Sequence, residues 1–221
     1  MIDYSNNPEA LRAISAIEDG DHLCLIGKAG TGKTTLVKHI KSLLGECNIA
    51  TLAPTGIAAI NAEGQTIHSL FHFAFRPLVP AKATAERRFL SMAEDEKDKI
   101  RKIDLFIIDE ISMVRADILD NIDQVLRLIH DAPLDPFGGV QLLMVGDPFQ
   151  LPPVTPDKPY EEFNTETTKQ AIDAVYASPY FFDSEVFRRD PPVVVELLTV
   201  YRQADNTFVD ILNSIRNGEK S

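Results

Sequence analysis

Residues 22–35 read HLCLIGKAGTGKTT, and the reading of this stretch decides the fold. HLCLIG at 22–27 is a short, nearly continuous apolar run of strand length, and a helix-length amphipathic segment follows at 32–44. Between them, Gly27-Lys28-Ala29-Gly30-Thr31-Gly32-Lys33-Thr34 has the spacing G-x-x-x-x-G-K-[ST]. The glycines let the backbone wrap closely around an anion, and the helix start points its unpaired N–H groups at the same place. A lysine at the seventh position then reaches the outer phosphates of a nucleotide, and the hydroxyl after it can join a Mg²⁺ shell. Gly27, Ala29, Gly30, Thr31, Gly32, Lys33, Thr34 and Thr35 are therefore the expected holders of the ATP phosphates, with Thr34 also a metal ligand.

Working outward, the same alternation repeats. IATLA at 49–53, LFIID at 105–109, VQLLMVG at 140–146 and VVVELL at 193–198 are further buried-strand runs. Helical patterns fall at 8–18, 84–101, 115–130, 168–176 and 205–217. Strands that are apolar on both faces and alternate with helices define an α/β domain with a mostly parallel central sheet covered on both sides. Two stretches break the pattern: 63–83 is aromatic-rich without a period, and 147–167 holds five prolines and reads as an extended loop. The mixed-sign run AEDEKDK at 93–99 reads as a solvated helix face.

Two further strand ends carry chemistry. Open α/β sheets bind ligands at the carboxyl ends of their strands, and Asp109 and Glu110 close the run LFIID-E. Asp109 is expected to hold Mg²⁺, directly or through water, and Glu110 to orient and deprotonate an attacking water. The adjacent carboxylates favour hydrolysis of ATP over binding alone. At the end of the run 140–146 comes Gly146-Asp147-Pro148-Phe149-Gln150-Leu151-Pro152-Pro153. Gln150 both donates and accepts, which suits sensing a γ-phosphate or the attacking water, and Asp147 suits either a supporting contact or a turn cap.

Composition bounds the rest. The 221 residues are 44% hydrophobic and 25% charged, the balance of a folded soluble domain, and they exclude disorder, collagen and coiled coil. No run approaches the length of a membrane span, and MIDYSNNPEA carries no secretory signal. Two cysteines, Cys24 and Cys47, without CxxC spacing suit a reduced, cytosolic-type protein. The net charge of −11 argues against coating duplex by bulk charge, while leaving room for a local single-strand groove. His68 and His72 lie four apart with no carboxylate in the zincin pattern, so a zinc site is not expected.

Taken in order, GKAGTGKTT at 27–35, LAPTGIAAINAEGQTIHSLF at 52–71, DLFIIDEISMV at 104–114, MVGDPFQLPPV at 144–154, YFFDSEVF at 180–187 and LLTVYRQADNTFVDILNSIRNGE at 197–219 resemble the PIF-type (petite integration frequency) DNA helicases of helicase superfamily one. The resemblance covers roughly 8–219, nearly the whole chain. It implies a RecA-like P-loop domain, the first motor domain of an ATP-driven 5′-to-3′ single-strand translocase acting on forks and other duplex junctions. It also implies that Pro54, Thr55, Gly56, His68, Ser69 and Phe71 line a single-strand groove, where an aromatic stacks a base whatever its identity. For Phe73 and Phe75, core packing is expected instead. Arg202, in the YRQ element, is implied as an arginine finger that stabilises transition-state charge.

The chain departs from the family where a glutamine upstream of the P-loop reads adenine; Asn7-Pro8-Glu9-Ala10-Leu11 has none. The resemblance further implies a wedge and a second RecA-like domain beyond Ser221. Residues 1–221 are then a first motor domain that binds nucleotide, hydrolyses it poorly and does not unwind. If prokaryotic, it would work in the cytoplasm at the nucleoid. The competing expectation is a P-loop nucleotide switch that controls a protein partner without touching DNA; residues 54–71 separate the two.

Overall fold

The computed structural model describes residue 4 and residues 6–74, 78, 81–153, 170 and 173–201. Six strands form one sheet in the order β3-β2-β4-β5-β1-β6, where β1 is Leu23–Gly27, β2 Ile49–Ala53, β3 Gln65–Thr66, β4 Leu105–Ile108, β5 Gln141–Gly146 and β6 Val193–Leu197. Every pairing is parallel. The α/β class and the parallel sheet expected from the sequence are observed, and the strand bounds agree to within a residue.

Side-chain alternation along the strands divides the core into two layers. Cys24, Phe106, Ile108, Leu142 and Met144 face one side, where they meet Ile118, Leu119, Ile122, Val125 and Leu126 of the long helix Ala116–Ile129. Leu23, Leu25, Leu105, Ile107, Leu143, Val145 and Val195 face the other. There they meet Ala10, Ala13 and Ile17 of α1 (Pro8–Glu18) and Leu36 and Ile40 of α2 (Lys33–Leu43). Polar side chains buried on the long helix anchor its neighbours. Asp120 accepts from the main-chain N–H groups of Glu185 and Val186, and Asp123 from that of Phe137.

Three local results differ from expectation. After β2 the chain forms a short helix, α3 (Gly56–Asn61), capped by the Thr55 hydroxyl, which accepts from Ala58 N–H at 3.2 Å. The aromatic stretch at 63–83 yields β3 and a one-turn helix, α4 (Ile67–Leu70), capped in the same way by Thr66. The expected helix at 84–101 is two, α5 (Ala81–Ser91) and α6 (Glu94–Arg101), broken at Ala93 with ψ near 152°. The break is stabilised by Glu96, whose carboxylate accepts from Ala93 N–H at 2.9 Å, and by burial of Met92. The helix expected at 115–130 is α7 (Ala116–Ile129), and α8 is Glu185–Arg189. The helix expected at 205–217 lies outside the described residues. So do residues 168, 169, 171 and 172 of the one expected at 168–176, and so does the proline-rich loop beyond residue 153.

A candidate nucleotide site at the carboxyl edge of the sheet

Parallel strands put all their carboxyl ends on one edge, so the segments after β1, β2, β4, β5 and β6 converge there. The loop after β1 is built around left-handed glycines, with φ of 81° at Gly30 and 87° at Gly32. Gly27 faces a second constraint. A Cβ there would sit 2.7 Å from Thr31 Oγ1 and 2.9 Å from the Leu197 carbonyl oxygen. Lys28 O gathers the loop inward, accepting from Thr31 N–H at 3.3 Å, Thr31 Oγ1 at 2.9 Å and Lys33 Nζ at 3.1 Å. Lys33 Nζ also donates to Gly27 O at 2.6 Å. The lysine is thus folded back on its own loop, a pose a phosphate would draw it out of. Thr34, Thr35 and Ala29 are exposed at the rim, whereas Thr31 is buried and its hydroxyl is spent on the loop.

Asp109 and Glu110 follow β4 directly. Asp109 N–H donates to Leu52 O of β2 at 2.8 Å, fixing the strand end, and Asp109 Oδ1 accepts from Glu110 N–H at 3.0 Å. Glu110 itself has φ 53° and ψ 45°, a left-handed conformation uncommon for a residue with a side chain. The chain turns there into a 3₁₀ turn, Ile111–Met113. Burial raises the Glu110 carboxyl above the usual carboxylate range, and the Asp109 and Asp147 charges push the same way against the Lys33 ammonium. Glu110 therefore feels the charges of Asp109, Lys33 and Asp147 at the ends of β4, β1 and β5. Asp147 is only 2% exposed, and its Oδ1 accepts from Phe149 N–H at 3.1 Å. Asp147 is therefore a turn cap, the second of the two roles expected for it, and its charge also acts on Glu110. Gln150 is on the surface, with its main-chain N–H bonded to Asp147 O at 3.0 Å. Arg202 lies outside the described residues.

The segment after β2 carries Pro54 and Thr55, both half-buried, and exposed Gly56, with open space around the Gly56 Cα. Ser69 is exposed and His68 half-buried. The His68 imidazole is held below its ordinary pKa by burial and by the nearby Arg115 cation, against Asp117. Phe71 requires a correction. It is 0% exposed, lies 5.4 Å from Phe73 in a stacked pair and 6.1 Å from Phe106 of β4, and belongs to the core. A ring enclosed on both faces has none left for a base. Phe73 is buried as expected, and Phe75 lies outside the described residues. His72 pairs with Glu96 at 3.3 Å, and among the described residues no group of His, Cys, Asp and Glu is arranged for a metal ion.

Two residues at the site were not singled out in the sequence. Asn7 caps α1 through Oδ1, which accepts from Ala10 N–H at 2.8 Å, and its Nδ2 donates to the Tyr201 hydroxyl at 2.7 Å. Tyr201 N–H donates to Gly30 O at 3.0 Å. The only sequence signals were an Asn immediately before Pro8, as a cap-and-N1 pair, and a Tyr beside Arg202.

A glycine-rich loop between β1 and a helix, with carboxylates on the neighbouring strand end of a parallel sheet, defines a P-loop nucleotide-site architecture. The family model described as PIF1-like helicase matches residues 5–221, and the chain belongs to that family. It is similar to the ATP-dependent DNA helicase RRM3 of Saccharomyces cerevisiae, with 36% identity over 87% of this chain and 25% of the relative. It is also similar to the ATP-dependent DNA helicase PIF1 of Homo sapiens, with 33% identity over 96% of this chain and 30% of the relative. The crystal structure of Pif1 helicase from Bacteroides in complex with ADP-AlF3 and ssDNA superimposes with a TM-score of 0.84 at 40% identity, over 100% of this chain and 48% of that one. The chain thus spans about a quarter to a third of these curated relatives and about half of the solved helicase.

Proposed function

We propose that this chain is the first motor domain of an ATP-driven single-stranded DNA translocase and helicase that acts at forks and other duplex junctions. One observation carries the reading: the half-buried Glu110 carboxyl feels the charges of Lys33, Asp109 and Asp147 at the carboxyl edge of a parallel sheet, beside a helix N-terminus entered through left-handed glycines. The family membership favours a motor over a nucleotide switch.

In this reading the main-chain N–H groups at the start of α2 and the Lys33 ammonium bind the phosphates, with Lys33 giving up its bonds to Gly27 O and Lys28 O. Thr34 and Asp109 supply hard oxygen ligands, the donor type Mg²⁺ takes, and the remaining positions fall to phosphate and water. Bound there, Mg²⁺ would neutralise charge developing on the transferred phosphoryl group. Glu110 takes the proton of the attacking water; burial, by raising its pKa, makes it a better base than an exposed carboxylate. Gln150 orients that water, and Arg202 stabilises the transition state from the segment after β6. Pro54, Thr55, Gly56, His68 and Ser69 contact the strand's phosphates and sugars. Phe71 supports them from the core.

The deciding experiment is ATP turnover by the full-length protein with and without single-stranded DNA, for wild type and Glu110→Gln. Strong stimulation that the substitution abolishes, with nucleotide binding kept, is the expected result. Nucleotide binding with no response to any single strand would overturn the DNA-motor reading.

A further inference from the structure

Two segments distant in sequence, the N-terminus of α1 and the chain after β6, meet at the phosphate loop. From below, Asn7 at the first turn of α1 uses both ends of its amide. Oδ1 holds Ala10 N–H and Nδ2 reaches 194 residues along the chain to the Tyr201 hydroxyl. From the side, the strand β6 ends at Leu197, and the chain continues past it to Tyr201, whose main-chain N–H bonds Gly30 O. From above, the Tyr201 ring lies over Gly32, 3.5 Å from where a Cβ would be. Asn7 is 9% exposed, whereas Tyr201 is 58% exposed. An exposed tyrosine held at its main-chain N–H and at its hydroxyl is placed by those bonds rather than by enclosure.

The consequence for the loop is geometric. A peptide unit is planar and trans, so its C=O and the following N–H point in opposite directions. The bond from Tyr201 N–H to Gly30 O at one end of the Gly30–Thr31 unit, with that from Thr31 N–H to Lys28 O at the other, restrains its plane. That plane sits between the two left-handed glycines on which the shape of the loop depends. The ring over Gly32 limits the second of them, at the point where α2 begins.

We propose that Asn7 is a positioning residue for nucleotide binding: through its bond to the Tyr201 hydroxyl it holds Tyr201 across the P-loop and keeps the loop in its binding-ready shape before nucleotide arrives. Loop ordering is then paid in the free protein instead of at the moment of binding, which raises affinity. The inference rests on the proposed reading of 27–34 as a nucleotide site.

The test measures the affinity of a fluorescent ADP analogue with Mg²⁺ for this chain, alongside unfolding temperatures without nucleotide. Asn7→Ser keeps an N-cap hydroxyl but cannot reach Tyr201, and Tyr201→Phe keeps the ring but loses the hydroxyl. Each should weaken binding by roughly 2- to 10-fold, the range for loss of one hydrogen bond. The double variant should bind no more weakly than either single one, because both remove the same bond. Unfolding temperatures of the two single variants should stay near wild type, whereas Asn7→Ala, which also loses the cap, should melt lower. Wild-type affinity in both single variants, additive losses, or tighter binding would each overturn the positioning role. A folded wild-type chain that binds the analogue no better than Lys33→Ala would instead overturn the nucleotide-site reading on which the role rests.

Discussion

Replacing Phe71 with alanine separates a core residue from a DNA contact, because the two roles fail in different assays. The ring is fully buried, stacked on Phe73 and tilted against Phe106 of β4. A buried phenylalanine withdraws about 200 Å² from water, worth about 5 kcal/mol as an upper bound. Truncations of this kind cost about 3–5 kcal/mol once the surroundings partly relax. In a chain of this size each kcal/mol moves the unfolding temperature by roughly 2–4 °C, so Phe71→Ala should melt about 6–20 °C below wild type. Phe71→Leu keeps most of the volume and should lose less than about 1.5 kcal/mol. Circular dichroism melts give the stabilities, and fluorescence anisotropy with a labelled oligothymidine gives binding, both read where every variant is folded. Phe71→Leu should bind the oligonucleotide as wild type does. The reasoning fails if Phe71→Ala melts within about 2 °C of wild type while losing oligonucleotide affinity, for the ring would then be reaching the DNA.

Other parts of the site give shorter tests. Lys33→Ala should abolish binding of Mg²⁺-ADP in calorimetry while the chain still folds, since Lys28 O keeps its bonds from Thr31 N–H and Thr31 Oγ1 when the lysine's own bonds to the loop are lost. Gly27→Ala puts a methyl group against Thr31 Oγ1 and the Leu197 carbonyl and should cost about 1–3 kcal/mol in urea unfolding; adding Thr31→Ala should restore only part of this, because the carbonyl remains. Glu110 makes a pH prediction. Its folded-state pKa is raised, so the ionised carboxylate disfavours the fold at neutral pH, and that cost disappears as pH falls through the raised value to the unfolded one. Glu110→Gln should therefore raise the unfolding temperature at neutral pH and leave it unchanged below the ordinary carboxylate range; an equal gain at both would refute the charge-based cause.

The strands and the phosphate loop were legible because their signals are local. A run such as LFIID is apolar at every position because both sheet faces are covered, and Phe106 and Ile107 do enter opposite layers. Gly27, Gly30 and Gly32 are each needed for a reason that short-range geometry states: close approach at Gly27 and positive φ at the other two. The Asn7 to Tyr201 bond has no such local trace. It joins residues 194 apart, and neither residue type announces the other.

The aromatic stretch shows why the proposed single-strand side was harder to read than the phosphate loop. Periodicity needs several turns to show, and α4 supplies one. After it, His72 takes φ 52° and points outward to Glu96, so that Phe71 and Phe73 both turn in on either side of it. Neither a helical nor a strand template predicts that in-out-in sequence, and a family motif assigns a residue to a groove without fixing which face of the chain it occupies. Glu96 repeats the lesson from the other partner. Within a run that reads as a solvated face, it accepts from Ala93 N–H and pairs with His72, so one carboxylate both breaks a predicted helix and holds the residue between Phe71 and Phe73 outward. Polar residues that settle such choices do so through one or two directed bonds. Composition and spacing average those bonds away, and coordinates restore them.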